Sequence, residues 1–209
     1  MEKENNQNKM ELILGSSSKS RYEVLTQIGL KLKQISPDID ETSLSGEKPQ
    51  DLVSRLGEEK ALAASKQAPM QSLIIAGDQV LCCDGKIFGK PMTIKNATAQ
   101  LEFFSGKKAT FFTSLCLMNN GTKQIQTKTI TTQIQFKKLS EKTIYTYIAI
   151  EKPLHCAGSL KIEGLGITLL NQISSSDPYA VLGMPLMHLC TMLEKEEYNI
   201  FHANKNHAK

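Results

Sequence analysis

Two short apolar runs constrain this chain more than any other feature: Leu12-Ile13-Leu14 and Leu73-Ile74-Ile75-Ala76. Neither alternates with polar residues and both are too short to read as helices, so each is expected to be a strand buried inside the molecule. The first run passes through Gly15-Ser16-Ser17-Ser18 into a segment with Tyr22, Leu25 and Ile28 at helical spacing, which reads as strand, small-residue loop and helix. An amphipathic helix is expected from about Gln50 to Lys66, stopped by Ala68-Pro69 ahead of the second run. The segment Pro91 to Phe104 reads as a helix with Thr93 as N-cap and Gly106 as its stop. Strands then take over, with Thr110 to Met118 and Thr127 to Phe136 joined by Asn119-Asn120-Gly121 as a hairpin. Ser140 should cap a further helix, and a last one should begin near Pro185. The glycine-rich stretch Ala157 to Thr168 follows neither period. Helices alternating with buried strands predict an α/β domain with a mixed sheet.

The polar ends carry nothing to bury, so residues 1–10 are expected to be a disordered tail, 11–198 a single domain and 199–209 a polar C-terminal tail. The longest uncharged apolar runs fall far short of the roughly 18 to 20 residues that cross a bilayer, and no apolar signal segment precedes Glu11. A cytoplasmic protein without membrane contact is the expectation. The net charge of +4 arises from 25 Lys and Arg against 21 Asp and Glu, spread along the chain rather than clustered. That pattern argues against a surface that coats nucleic acid and leaves room for a small anion held by a few placed cations. The five cysteines fit no disulfide or zinc spacing and read as reduced, mostly buried small hydrophobes. The four histidines form no metal or triad pattern, and no Gly-x-Ser-x-Gly elbow is present.

Several segments combine residues able to do chemistry. In Gly15-Ser16-Ser17-Ser18-Lys19-Ser20-Arg21, loop amides, hydroxyls, a helix N-terminus and two cations converge, which suits phosphate but equally describes a serine-capped helix. Asp78 follows directly on a buried run and should sit where that strand ends, able to bind hydrated Mg²⁺ or orient a water, or simply to start a turn. Lys90 in Gly89-Lys90-Pro91 is a cation in a rigid turn or a solvated lysine. Asp38-Ile39-Asp40-Glu41 is a carboxylate cluster or an acidic surface loop. The glycines of Ala157 to Gly166 permit close backbone approach to a ligand, and Glu163 among them can accept two hydrogen bonds, although a plain turn explains the stretch as well.

Taken in order, these pieces resemble the Maf family of nucleotide pyrophosphatases over about residues 11 to 195. The matching segments are Leu12-Ile13-Leu14-Gly15-Ser16-Ser17-Ser18 with Arg21, Asp40-Glu41-Thr42, Glu59-Lys60-Ala61, Gly77-Asp78-Gln79-Val80, Gly89-Lys90-Pro91, Cys156-Ala157-Gly158-Ser159, Glu163-Gly164-Leu165-Gly166 and Val181-Leu182-Gly183-Met184-Pro185-Leu186. The resemblance implies an elongated mixed β-sheet flanked by helices, in two lobes with a central cleft, often in a homodimer. It implies hydrolysis of a nucleoside triphosphate between the α and β phosphates with a divalent cation, Mg²⁺ or Mn²⁺. By that likeness Asp78 is the proton acceptor that activates water, and Lys60, Lys90 and Arg21 hold phosphates together with Ser16, Ser17 and Ser18. Glu41, with Asp78, would help bind the metal.

Two subgroups of the family differ at the positions of Ser20, Gln79 and Glu163. The subgroup acting on dTTP and UTP typically carries Arg, Thr and Gln there, and the YceF type, which acts on 7-methyl-GTP, carries Trp, Gln and Glu. Gln79 and Glu163 match the second pattern, and a carboxylate suits both the N–H donors of guanine and the positive charge of its methylated ring. The wording Leu154-His155-Cys156-Ala157-Gly158-Ser159 and Asp177-Pro178 also resembles that type. The chain departs from the pattern at Lys19, where the family has Pro, and at Ser20. The missing Trp removes a ring for stacking on the base and leaves Tyr22 or a nearby phenylalanine to replace it. The rival readings are the dTTP/UTP activity and a non-catalytic nucleotide-binding regulator of cell division.

Overall fold

A computed structural model describes residues 10–201; of the tails expected at 1–10 and 199–209, residues 1–9 and 202–209 lie outside the described residues. Met10 and Ile200, at the edges of those tails, pack against the apolar cluster of the first lobe.

The strands are β1 (Glu11–Gly15), β2 (Leu32–Ile35), β3 (Ser72–Ala76), β4 (Gln79–Cys83), β5 (Lys86–Phe88), β6 (Lys108–Asn119), β7 (Ile125–Phe136) and β8 (Leu170–Ser175). The helices are α1 (Lys19–Gln27), α2 (Pro49–Ser65), α3 (Ile94–Phe104), α4 (Glu141–Glu151) and α5 (Leu186–Lys195). Together the strands form one eight-stranded mixed sheet. β1 lies parallel to both β2 and β3, and every other pairing is antiparallel. The family-like α/β architecture expected from the apolar runs is the one observed.

The two lobes differ in how the sheet is covered. β1 and β3 are buried on both faces. Leu12, Leu14, Leu73 and Ile75 pack with Val24 and Leu25 of α1 and with Leu186, Leu189 and Leu193 of α5. On the opposite face Ile13, Ile74 and Ala76 meet Ala61 and Ala64 of α2. Burial on both sides is why these strands contain no polar alternation. In the second lobe α3 and α4 cover one face of β4, β6 and β7 through Leu101, Phe104, Ile144 and Ile148, packed on Phe111, Ile134 and Phe136. The caps are the expected ones: Thr93 Oγ1 accepts from the Asn96 amide and Ser140 Oγ from the Thr143 amide.

β2, β5 and β8 are not visible as periodic segments in the sequence, because each is too short to show a period and is recruited by its neighbour. The stretch from Ala157 resolves into two short 3-10 helices, at Ala157–Ser159 and Leu165–Leu169. Of the five free cysteines, Cys83 and Cys116 are buried and the other three are half-buried, a more open set than expected. Among the described residues no helix is long and apolar enough to cross a membrane.

Candidate active site

The site is organised by a break in one ladder. β3 and β4 lie end to end along one edge of β6, while β7 runs along the other. The register is unbroken across the gap, since Ala76 faces Cys116 and Gln79 faces Thr113. Asp78 therefore stands just past the end of β3, as expected from the apolar run, in a two-residue gap after which the same edge of β6 resumes pairing with β4. Ladder pairing is interrupted at 77–78 because the backbones approach too closely for side chains. A Cβ on Gly77 would overlap the carbonyl oxygen of Ser114. Ser114 fills the gap: its hydroxyl donates to the Val53 carbonyl at 2.5 Å and accepts from the Asp78 amide at 2.8 Å. The Ser114 amide in turn donates to the Asp78 carbonyl at 2.9 Å. The Asp78 backbone is thereby fixed to both β6 and α2.

α2 supplies the partner of the Asp78 carboxylate. Lys60 Nζ lies 2.6 Å from Asp78 Oδ1 and 2.7 Å from Glu41 Oε1, so one ammonium joins two carboxylates from separate segments. Lys60 is 6% and Asp78 9% exposed, whereas the Glu41 side chain is half exposed. Burial raises the Glu41 carboxyl, but the hydrogen bond and charge of Lys60, with the charges of Lys90 and Arg21, outweigh it and hold the group below the usual carboxylate range. The loop carrying Glu41 is clamped from α2 by Arg55, which donates to the Thr42 carbonyl at 3.1 Å and to Glu47 at 2.7 and 2.8 Å. Asp40 is turned outward and accepts from the Thr42 amide.

The loop between β1 and α1 forms the adjoining wall. Its serines are not equivalent. Ser16 is buried and its hydroxyl accepts from the Ser18 amide, Ser18 caps α1 through the Arg21 amide, and Ser17 is exposed at the cavity. Arg21 is 7% exposed and donates through Nε to the Gly183 carbonyl at 2.9 Å and through Nη1 to the Gly77 carbonyl at 2.7 Å. It ties the break in the β3–β4 ladder to the turn before α5; Nη2 takes no part in these bonds. Burial lowers the guanidinium pKa, opposed by the charges of Asp78 and Glu41. Lys19 points away and pairs with Glu23 at the surface.

One cavity is lined by Ser16, Ser17, Ser18, Ser20, Arg21, Glu41, Lys60, Asp78, Gln79, Lys90 and Glu163, so every residue singled out from the sequence as a site residue borders the same space. Lys90 enters from the second lobe, its turn held by the Gly158 amide on the Gly89 carbonyl at 3.1 Å. Gln79, first residue of β4, directs its side-chain amide at Thr113 and at the turn Pro178–Leu182.

The family described as Maf-like protein matches residues 11–196. The chain belongs to the Maf family. Relatives named 7-methyl-GTP pyrophosphatase, from Idiomarina loihiensis, Vibrio cholerae serotype O1 and Aliivibrio fischeri, are 42%, 43% and 44% identical to it. These matches cover 90%, 91% and 90% of this chain and 96%, 97% and 97% of the relatives.

In this Maf chain the Asp78 and Glu41 carboxylates converge on a single point, the one Lys60 Nζ holds. Among the described residues no group of three or more His, Cys, Asp and Glu side chains could hold a metal by itself. Two oxygen ligands fit a hard cation such as Mg²⁺ or Mn²⁺ that completes its shell with phosphate oxygens and water.

The ring expected to replace the missing Trp is elsewhere. Tyr22 borders a separate hollow with Thr26 and Gly29, and among the described residues no phenylalanine lines the Maf cavity, where the ring present is that of His155. Ser20 instead places its hydroxyl 3.4 Å from the Leu182 carbonyl. Sequence reasoning passed over Ser114, Thr113, Arg55 and Ala180. Ser114 and Thr113 were unremarkable members of a β-rich run, and nothing local marks a residue whose partner lies 34 or more positions away.

Proposed function

We propose that this chain hydrolyses 7-methyl-GTP between its α and β phosphates, yielding 7-methyl-GMP and diphosphate as a house-cleaning activity on modified nucleotides. The observation that carries the reading is the Lys60–Asp78–Glu41 set, its first two members buried, lining the same cavity as the Ser16–Ser18 loop, Gln79 and Glu163. The printed name of the relatives, which align over nine-tenths of the chain, supports the same substrate. The cytoplasm, where nucleotide pools reside, is the setting this implies.

Asp78 accepts the proton of the attacking water, with Lys60 holding its carboxylate in place. Arg21 Nη2, Lys90 and the Ser17 hydroxyl with the loop amides receive phosphate oxygens, reducing the repulsion a water meets as it approaches a polyanion. Glu41 and Asp78 would hold Mg²⁺ or Mn²⁺, which when bound neutralises charge developing on the phosphates. Gln79 and Glu163 offer acceptors to the base. A positioned general base contributes roughly 10² to 10⁴ in rate, which sets the scale of the Asp78 effect.

The test is diphosphate release from 7-methyl-GTP, GTP, dTTP, UTP and CTP at fixed Mg²⁺ by wild type and Asp78→Asn. Preference for 7-methyl-GTP in wild type, and loss of diphosphate release in the variant, is the expected result. Preference for dTTP or UTP would transfer the chain to the sister activity, and tight nucleotide binding without any product would make it a regulator.

A further inference from the structure

The side-chain amide of Gln79 is held in an orientation that its neighbours permit in only one sense. Its Nε2 lies 2.9 Å from Thr113 Oγ1, 3.0 Å from the Ala180 carbonyl oxygen and 3.3 Å from that of Val181. Thr113 Oγ1 is itself 3.0 Å from the Ala180 oxygen. A carbonyl cannot donate, so the single hydroxyl proton of Thr113 goes to Ala180 and its lone pairs face Gln79. Turning the amide over would set its oxygen against two carbonyl oxygens and a hydroxyl with no proton to spare. The nitrogen is committed inward, and the oxygen is what Gln79 offers to the cavity it lines.

The arrangement is built rather than incidental. Gln79 and Thr113 are directly opposed in the β4–β6 ladder, where opposed side chains share a face, and Thr113 is fully buried. The turn supplying the two carbonyls is capped by Asp177, also fully buried, whose Oδ1 accepts from the Tyr179 amide and Oδ2 from the His188 amide.

We propose that Thr113 is a positioning residue for base selection, acting by locking Gln79 with its acceptor toward the substrate. With Glu163 on the same cavity, the base then meets two acceptors. Guanine fits them, because N1–H and the exocyclic amine are neighbouring donors. Uracil and thymine do not, because their one ring N–H is flanked by two carbonyl oxygens that need donors. This inference rests on the proposed function and names the group that sets its selectivity.

The experiment compares kcat/KM for 7-methyl-GTP and UTP in wild type, Thr113→Val and Thr113→Ser. Removing the hydroxyl takes away the shortest of the three contacts that hold Nε2 and should lower the ratio of the two values by roughly tenfold, and the serine variant should restore it. A merely structural role would lower both values together and leave their ratio unchanged, which would overturn the proposal. A second measurement holds even if Thr113→Val does not fold: hydrogen exchange of the Gln79 side-chain amide by NMR in wild type, its signals identified by their loss in Gln79→Glu. Exchange much slower than at exposed Gln67 is expected, and exchange at the Gln67 rate refutes the lock. A wild-type enzyme that prefers UTP removes the proposed function and this inference together. One that prefers 7-methyl-GTP, with an unchanged ratio in Thr113→Val, removes this inference alone.

Discussion

Lys60 and Asp78 form a hydrogen-bonded ion pair 2.6 Å long with less than a tenth of either residue exposed. Removing one member leaves the other as a charge largely shut off from water, which costs about 3 to 5 kcal/mol where no water replaces it. The half-exposed Glu41 admits some solvent, so Lys60→Met should lower stability by about 3 kcal/mol in urea unfolding and abolish diphosphate release. The double variant Lys60→Met/Asp78→Asn, lacking the orphaned charge, should regain most of that stability and none of the activity. Stability losses that simply add would show that the pair is not coupled.

Gly77 should tolerate no side chain. The Cβ of alanine would overlap the Ser114 carbonyl, and relief requires β3–β4 to move off β6. Gly77→Ala is expected to cost about 1 to 3 kcal/mol, the usual range for overpacking. Because the movement shifts Asp78, kcat should fall further than the stability loss alone explains. A variant with wild-type kcat and melting temperature would refute this account.

The Arg55 clamp carries a pH signature. The hydrogen bond from Arg55, helped by the Leu44 amide, draws the Glu47 carboxyl from its ordinary 4.5 down to about 2. A carboxyl whose pKa is depressed on folding stabilises the protein above its unfolded value and loses that contribution as pH falls from about 4.5 toward 2. Glu47→Gln should therefore be less stable than wild type at neutral pH, with the gap closing across that acid range. Equal slopes of melting temperature against pH for the two proteins would show that Glu47 is not linked to folding.

Gly158 controls Lys90 at a distance. Its φ is +62°, and a Cβ there would collide with the side chain of Leu81. Since its amide holds the Gly89 carbonyl, Gly158→Ala should displace the turn bearing Lys90. The expected result is a raised KM for the triphosphate in a protein that still folds, measured by steady-state diphosphate release, with Lys90→Ala producing a similar KM. An unchanged KM in Gly158→Ala would separate the two elements.

Much of this molecule was legible before any coordinates. Leu12-Ile13-Leu14 and Leu73 to Ala76 declared strands covered on both faces, because only such strands dispense with polar alternation. Thr93 and Ser140 marked helix starts through hydroxyls placed to meet free amides three residues on. The residues expected around the cavity were named from short motifs, each of which survives because its neighbours in the chain are also its neighbours in space.

What the motifs could not convey is how those residues are held. Asp78 was legible as a residue just past a strand's end, but the resumption of the same ladder at Gln79 was not, because it depends on β6 pairing with both β3 and β4. Arg21 looked like a phosphate ligand and is also a tie between Gly77 and Gly183, 56 and 162 positions away. Tyr22, adjacent to the departures at Lys19 and Ser20, faces another hollow. Local hydrogen-bonding capacity and apolar period are properties of consecutive residues, so the chain alone determined its doubly buried strands, its long hairpin, its caps and its reactive groups. The orientation of the Gln79 amide, the pairing of Lys60 with two carboxylates and the placing of Ser114 depend on donors and acceptors brought together only when the sheet closes, and tertiary structure decided them.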